Sequence, residues 1–317
     1  MAADSGSAGK VVLQQTLKNS IHCSGVALHS GAKVSMNLHP AEADTGIVFR
    51  RTDACGGSEV QALWCNAVET PLCTTLVDGK GNQVATIEHL MAALSACGID
   101  NAVVELNGPE VPIMDGSAAP FIFLIECAGV AVLRSPRRAL RILSEVSVAE
   151  PHRSASLAPG GSFTVGFEID FGDSVIGRQE WFTEVNESAF KRDVARARTF
   201  GLAQDIEKMR AMGLARGGSL ENAIVVNGKG ILNEEGLRFH NEFVRHKVLD
   251  SIGDLYLVGT PIIGHFQGDR AGHALTLRLL QALFAEEGAW EWTELAAAPA
   301  AAAGAQGQPM RAVAARA

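Results

Sequence analysis

The sequence predicts an α+β fold in two similarly built halves that face each other. Three observations lead there. In each half strand-like runs come first and helices follow, instead of the strict βαβα alternation of a doubly wound parallel sheet. A helix holding His89 stops at Gly98 before a strand, and a helix holding His246 stops near Gly259 before another, so the halves echo each other. Finally, 317 residues of which 47% are hydrophobic supply material for about two cores.

Taken in order, residues 1–10 are rich in Ala, Ser and Gly, are expected to be disordered and lack the apolar stretch of a secretory signal. Val34, Met36 and Leu38 alternate with Ser35, Asn37 and His39, which predicts a half-buried strand. Cys73–Val77 and Gln83–Ala85 flank Asp78-Gly79-Lys80-Gly81-Asn82, which predicts a hairpin. A helix from Thr86 to Cys97 is stopped by Gly98, and a strand from Ala102 to Leu106 follows. A second helix covers Ala118 to Cys127. The basic, proline-containing run Arg134-Ser135-Pro136-Arg137-Arg138 reads as a linker, which sets expected domains at 11–134 and 135–295.

Beyond the linker, strands are expected around Leu140–Val148, Phe163–Phe171, Glu180–Val185 and Ile262–Phe266. Helices are expected near Glu187–Arg196, Ala203–Met212, Asn241–Val258 and His273–Glu287. From 296 to 317 the Ala-rich tail, with only Arg311 and Arg316 charged, offers no face to bury and is expected to be disordered.

Composition excludes several classes. Acidic residues outnumber basic ones, 35 to 27, and the formal charge of −8 disfavours a nucleic-acid partner while leaving room for one small phosphorylated ligand. The longest apolar stretch, Ala118 to Leu133, is interrupted by Pro120, Glu126 and Gly129, so no membrane span is expected. The six cysteines show no C-x-x-C spacing, which predicts reduced thiols in a cytoplasmic protein. The P-loop, G-x-S-x-G, H-E-x-x-H and complete G-x-G-x-x-G motifs are absent.

The helix around 241–258 carries the clearest chemical signal. His246, Asp250 and Asp254 are spaced i, i+4, i+8 and share one face, with Val244, Val248, Ile252 and Leu255 forming a core-facing stripe opposite. A solvated polar face is the plainer reading, although Phe243 and Gly253 are unusual choices for one. A second signal is Glu88-His89 at the start of an otherwise apolar helix, where an ordinary first turn with Glu on the helix dipole is the alternative. Together, His89, His246 and Asp250 make a two-His, one-carboxylate set with an open position, as catalytic zinc requires. Glu88, beside a ligand but not itself one, then suits a general base. His273, at a loop-to-helix junction, is a general acid or a capping residue. The same ligand set also describes the facial triad of non-haem iron oxygenases. That rival normally offers H-x-[DE] on a barrel strand, and here the pair is on a helix.

Four motifs extend this reading: Thr86-Ile87-Glu88-His89-Leu90, Pro112-Ile113-Met114-Asp115-Gly116-Ser117-Ala118, Arg196-Ala197-Arg198-Thr199-Phe200-Gly201 and Phe243-Val244-Arg245-His246-Lys247-Val248-Leu249-Asp250. In these motifs and their order, from about Leu13 to Trp292, the sequence resembles the UDP-3-O-acyl-N-acetylglucosamine deacetylases of lipid A synthesis in Gram-negative bacteria. The resemblance implies two α+β domains, each a mainly antiparallel sheet with two helices, and the helices packed between the two sheets. It implies a zinc amidase that releases acetate from the N-acetyl group of an acylated UDP-sugar, with one Zn2+ per chain on His89, His246 and Asp250, or Fe2+ in vivo.

By the same resemblance Glu88 is the general base, His273 the cationic acid with Asp254 as its partner, and Thr199 a hydroxyl donor toward the acetyl oxygen. Lys247 is placed for the diphosphate, Phe200, Leu72 and Cys73 line the sugar and metal cleft, and Phe171 stacks on uridine. Gly218, in the run from Gly217 to Val226, marks the wall of an apolar passage for the acyl chain, though its β-branched part also suits an ordinary buried strand. After Phe171 the family often has a short His-Pro segment, where this chain has Gly172-Asp173-Ser174-Val175. Arg153 is the expected basic residue near the nucleotide. A monomer without nucleic acid or a membrane span is expected. A sugar-nucleotide binding protein that kept the fold without turnover is the non-catalytic alternative.

Overall fold

The structure, a computed structural model, describes residues 11–54 and 57–296, so the expectations for 1–10 and for 297–317 fall outside the described residues. In the first half a five-stranded sheet runs in the order Ile21–Val26, Lys33–Pro40, Ala102–Leu106, Ile47–Arg51 and Ser58–Gln61. Its pairs are antiparallel except Ile47–Arg51 with Ala102–Leu106. Val34, Met36 and Leu38 point into the core, as the period of two requires. Two helices, α1 (Glu88–Ala96) and α2 (Ala119–Ala128), cover that face.

The second half adds the short helices α3 (Glu187–Asp193) and α4 (Ala203–Ala211), then α5 (Glu242–Leu255) and α6 (His273–Ala285). Its seven-stranded sheet centres on Ile262–Asp269, which runs parallel to Arg138–Ile142 and Phe163–Asp170 and antiparallel to Arg153–Ala158. Helices α5 and α6 lie on this sheet, and α1 packs against α5 along their lengths. The helices therefore form the middle of an α+β sandwich with a mainly antiparallel sheet on either side. A small three-stranded sheet, Phe200–Leu202, Ile224–Asn227 and Gly230–Ile231, stands beside it. No described helix is long and apolar enough to cross a membrane.

Helix α1 is buried around nearly its whole circumference, which is why its sequence is apolar on every side. It begins at Glu88 and not Thr86, because Thr86 adopts φ 57 and turns the chain into the helix. Helix α5 corrects the expected division into a core face and an opposite polar one. His246, Asp250 and Asp254 are as buried as Val244 and Val248, because the polar face is turned onto α1. Gly253 permits this approach: a Cβ there would stand 2.0 Å from the Glu88 carbonyl oxygen and 3.1 Å from the Ala92 nitrogen.

The expected linker is strand. Arg134 and Pro136 lie in Val130–Pro136, which pairs with Leu13–Leu17, and Arg138 opens the next strand. Pro136 ends its strand, where its missing N–H costs no ladder bond. Arg137 between them donates its N–H to Val12 O at 2.8 Å and its guanidinium to Asp100 at 2.7 Å. The expected strand at Leu140–Val148 divides into Arg138–Ile142 and Val146–Glu150. Ala296, expected to start the tail, forms a bridge to Val11.

Candidate metal centre

The α1–α5 contact brings together side chains that lie far apart in sequence. The Nε2 atoms of His89 and His246 lie 3.5 and 3.3 Å from Asp250 Oδ1, and the three donor atoms fall within 4.8 Å of one another. Ligands about 2.1 Å from a tetrahedral zinc stand about 3.4 Å apart, so the spacing suits a shared ion. Asp250 Oδ1 is buried and has no hydrogen-bond partner among the described residues, a costly arrangement for a carboxylate unless a cation completes it. The other oxygen, Oδ2, accepts from Lys247 Nζ at 2.7 Å.

The His246 imidazole is in the right form for ligation. His246 Nδ1 faces the Ala197 carbonyl at 3.0 Å, which can only accept, so the proton is on Nδ1 and the lone pair on Nε2. Burial lowers the His246 pKa to about 4 against the opposing pull of Asp250, leaving the ring neutral near pH 7. Burial works against the Asp250 anion, but His246 and Lys247 outweigh it and hold the carboxyl well below the usual carboxylate range.

Glu88 and His273 line the same cleft, of about 350 Å³. Burial pushes the Glu88 pKa up, and the neighbouring His273 and His89 pull it back only partly. Its Oε2 accepts from Thr74 N at 3.1 Å. His273 Nδ1 donates to Asp254 Oδ2 at 2.8 Å, and although burial disfavours its charge, Asp254 raises the pKa to about 9. The position at the start of α6 is therefore occupied by a paired histidine, not a helix cap.

Thr199 and Phe200 reach the cleft through a buried ion pair that the sequence did not signal. Arg198 Nε and N both donate to Glu242 Oε1, at 2.9 and 3.0 Å, and a terminal nitrogen meets Glu235 at 2.6 Å. Arg198 and Glu242 are 2% and 0% exposed, so this pair fixes the loop whose Ala197 carbonyl orients His246. Removing one partner strands a buried charge. Glu242→Ala is expected to lower the unfolding free energy by about 3–5 kcal/mol in a denaturant titration. A loss no larger than the ~1 kcal/mol of a surface pair would contradict that. Across the cleft, Gly116 O accepts from Thr199 N at 2.8 Å and Asp115 accepts from Arg238 at 2.9 Å, so the Pro112–Ala118 motif ties the halves together.

Among the other expected site residues, Leu72 is half exposed at the cleft rim with φ 72, and Cys73 lies buried beneath it, its thiol pushed up to about 11 by burial and then by Glu88. The Phe200 ring stands edge-on to Phe171, Phe243 and His246. Arg153 and Lys247 line the metal cleft. Gly172–Val175 is a turn whose Val175 N donates to Gly228 O at 3.0 Å.

A second cavity, of about 610 Å³, shares Leu28, Leu72, Thr199 and Phe200 with the metal cleft and runs on past Ile206, Met209, Gly218 and Leu232. In the run to Val226, Ile224 and Val226 are buried in a strand, while Val225 between them lines this cavity. His29, whose pKa burial lowers and whose ring nitrogens have no partner among the described residues, also stands in its wall.

The family model for UDP-3-O-acyl N-acetylglycosamine deacetylase matches residues 14–285. Proteins named UDP-3-O-acyl-N-acetylglucosamine deacetylase are similar along nearly their whole length. The one from Acidithiobacillus ferrooxidans is 52% identical over 288 residues, spanning 90% of this chain and 94% of its own. The Marinobacter nauticus protein is 52% identical over 283 residues (89% and 93%), and that of Vibrio parahaemolyticus 47% over 285 (89% and 93%). With its α+β sandwich and the cleft between its helices, the chain belongs to the UDP-3-O-acyl-N-acetylglucosamine deacetylase family.

Proposed function

We propose that the protein removes the N-acetyl group of UDP-3-O-(3-hydroxyacyl)-N-acetylglucosamine, giving the free amine and acetate in lipid A biosynthesis, as a cytoplasmic, zinc-dependent monomer. The observation that carries the reading is the unpartnered, buried Asp250 oxygen between two imidazole nitrogens, in one cleft with Glu88 and His273. His89, His246 and Asp250 are the residues that would hold the ion, and they would accept Fe2+ as well. A zinc ion there supplies Lewis acidity toward the amide carbonyl and makes water more acidic.

The chain's own groups do the rest. Glu88 takes a proton from the attacking water as its oxygen bonds to the acetyl carbon, and a pKa raised by burial makes it a better base. His273, cationic at pH 7, faces the negative charge that develops on the carbonyl oxygen and gives the Nε2 proton to the nitrogen as the C–N bond breaks. Asp254 keeps the ring charged and aligned, and the Thr199 hydroxyl supplies a further donor. Lys247 and Arg153 provide positive charge for the diphosphate, and Phe171 an aromatic face for the uracil. Phe200, Leu72 and Cys73 enclose the sugar, and the acyl chain follows the cavity past Gly218.

The test is acetate and free-amine release from the acylated UDP-sugar before chelation, after chelation, and after restoring Zn2+ or Fe2+. Turnover that disappears with the metal and returns with it is expected. Folded, zinc-loaded protein that releases no acetate would overturn the proposal and leave the binding-protein reading.

A further inference from the structure

We infer that Thr74 is a positioning residue that ties the base and the acid of the proposed deacetylation to one point of the fold, an inference that rests on that functional reading. Thr74 stands just before the strand Thr75–Val77 and is 7% exposed. From the main chain its N–H donates to Glu88 Oε2 at 3.1 Å. From the side chain its hydroxyl lies 2.5 Å from Asp254 Oδ1 and 3.2 Å from His273 Nδ1, while Asp254 Oδ2 accepts from the same Nδ1 at 2.8 Å.

The directions of these bonds follow from the groups themselves. An ionised carboxylate only accepts, so the Thr74 hydroxyl donates to Asp254 and turns a lone pair toward His273. The Nδ1 proton is then shared between Asp254 and the hydroxyl oxygen, and it stays in place in both charge states of the ring. Nε2 is left as the nitrogen that gains and loses a proton. Asp254 Oδ1 has no other partner among the described residues, and at 4% exposure little water replaces the hydroxyl. Without it the carboxylate can rotate and carry Oδ2 off the ring.

The backbone of Thr74 is held independently of this side chain. Leu72 turns the chain at φ 72, Thr70 Oγ1 donates to Cys73 O at 2.9 Å, and Ile87 N donates to Thr74 O at 3.5 Å. Loss of the hydroxyl therefore spares the N–H to Glu88 and affects only the His273 arm. Valine has the shape of threonine without the hydroxyl, and serine keeps the hydroxyl without the methyl, so the two variants separate the bond from the packing.

The experiment compares zinc-loaded wild type, Thr74→Val and Thr74→Ser for kcat and KM of acetate release, zinc content, and the His273 ring signals in 1H–15N spectra. For Thr74→Val we expect kcat to fall roughly 10- to 100-fold with KM within about threefold, part of what a positioned general acid contributes. Zinc content is unchanged, the Nδ1–H resonance of His273 moves or broadens, and Thr74→Ser stays near wild type. A Thr74→Val enzyme with wild-type kcat and an unmoved resonance overturns the inference. So does a serine variant as impaired as the valine one, because packing of the methyl would then be the cause. Should the valine variant not fold, the wild-type spectrum still decides: a slowly exchanging Thr74 hydroxyl proton is expected, and its absence refutes the bond to Asp254. Wild-type protein that releases no acetate would sink the deacetylase reading, whereas wild-type turnover unaffected by Thr74→Val sinks only the role of Thr74.

Discussion

Glu88→Gln is expected to lower kcat by about 10²- to 10⁴-fold, the usual contribution of a positioned general base. Bound metal should remain at one ion per chain. The substitution keeps the shape of the side chain and still offers an oxygen to Thr74 N, but the amide cannot take a proton. A pH profile extends the test. Below its pKa, which burial raises, Glu88 is protonated and cannot act as a base, so activity is lost as pH falls through it. His273 must be protonated to donate, so activity is lost again as pH rises through its pKa, which Asp254 sets at about 9. A bound dication lowers both values, so the alkaline limb belongs at or below that pH. His273→Gln should flatten this limb. Near-wild-type turnover by Glu88→Gln, or a profile without limbs, would remove these residues from their assigned roles.

Gly253→Val is the substitution with the largest expected effect on the fold. The first added carbon meets the Glu88 carbonyl oxygen at 2.0 Å and its carbon at 2.8 Å, and both are helix backbone that cannot rotate away. Helices α1 and α5 must then separate, and His89 leaves His246 and Asp250. A loss of about 3 kcal/mol or more is expected, at the upper end for overpacking, together with weakened zinc binding. Calorimetry and a competitive metal titration measure the two effects. Wild-type Tm and zinc affinity in this variant would mean that the helices tolerate a wider crossing.

Much of this was legible in the sequence where the cause is local. The alternation at Val34–His39 and the turn residues at Asp78–Asn82 determine their elements within a few positions, and the structure places strands where they predict. The i, i+4, i+8 spacing put His246, Asp250 and Asp254 on one face correctly. It could not tell whether that face meets water or another helix, because α1 supplies the answer from more than 150 residues away. At Arg134–Arg138 composition suggested a linker, whereas the run lies in strands whose partners Leu13–Leu17 and Trp290–Glu294 are remote in sequence. Arg198 and Glu242 look like surface residues by type, and only their mutual burial shows otherwise. Thr74 carries no signal, since a hydroxyl acquires its meaning from what stands opposite.

The proposed ligands are split between helices, with His89 near the start of α1 and both His246 and Asp250 on α5. This division has a consequence during synthesis. A ribosome that has delivered α1 has produced one ligand, and the next two appear only after the intervening sheet strands and short helices have been made. No nascent chain that ends before Asp250 holds the full set, so a truncated translation product cannot sequester the ion at this centre. Loading of the proposed site would thus be a late event that reports, in a single binding step, that the two halves have met.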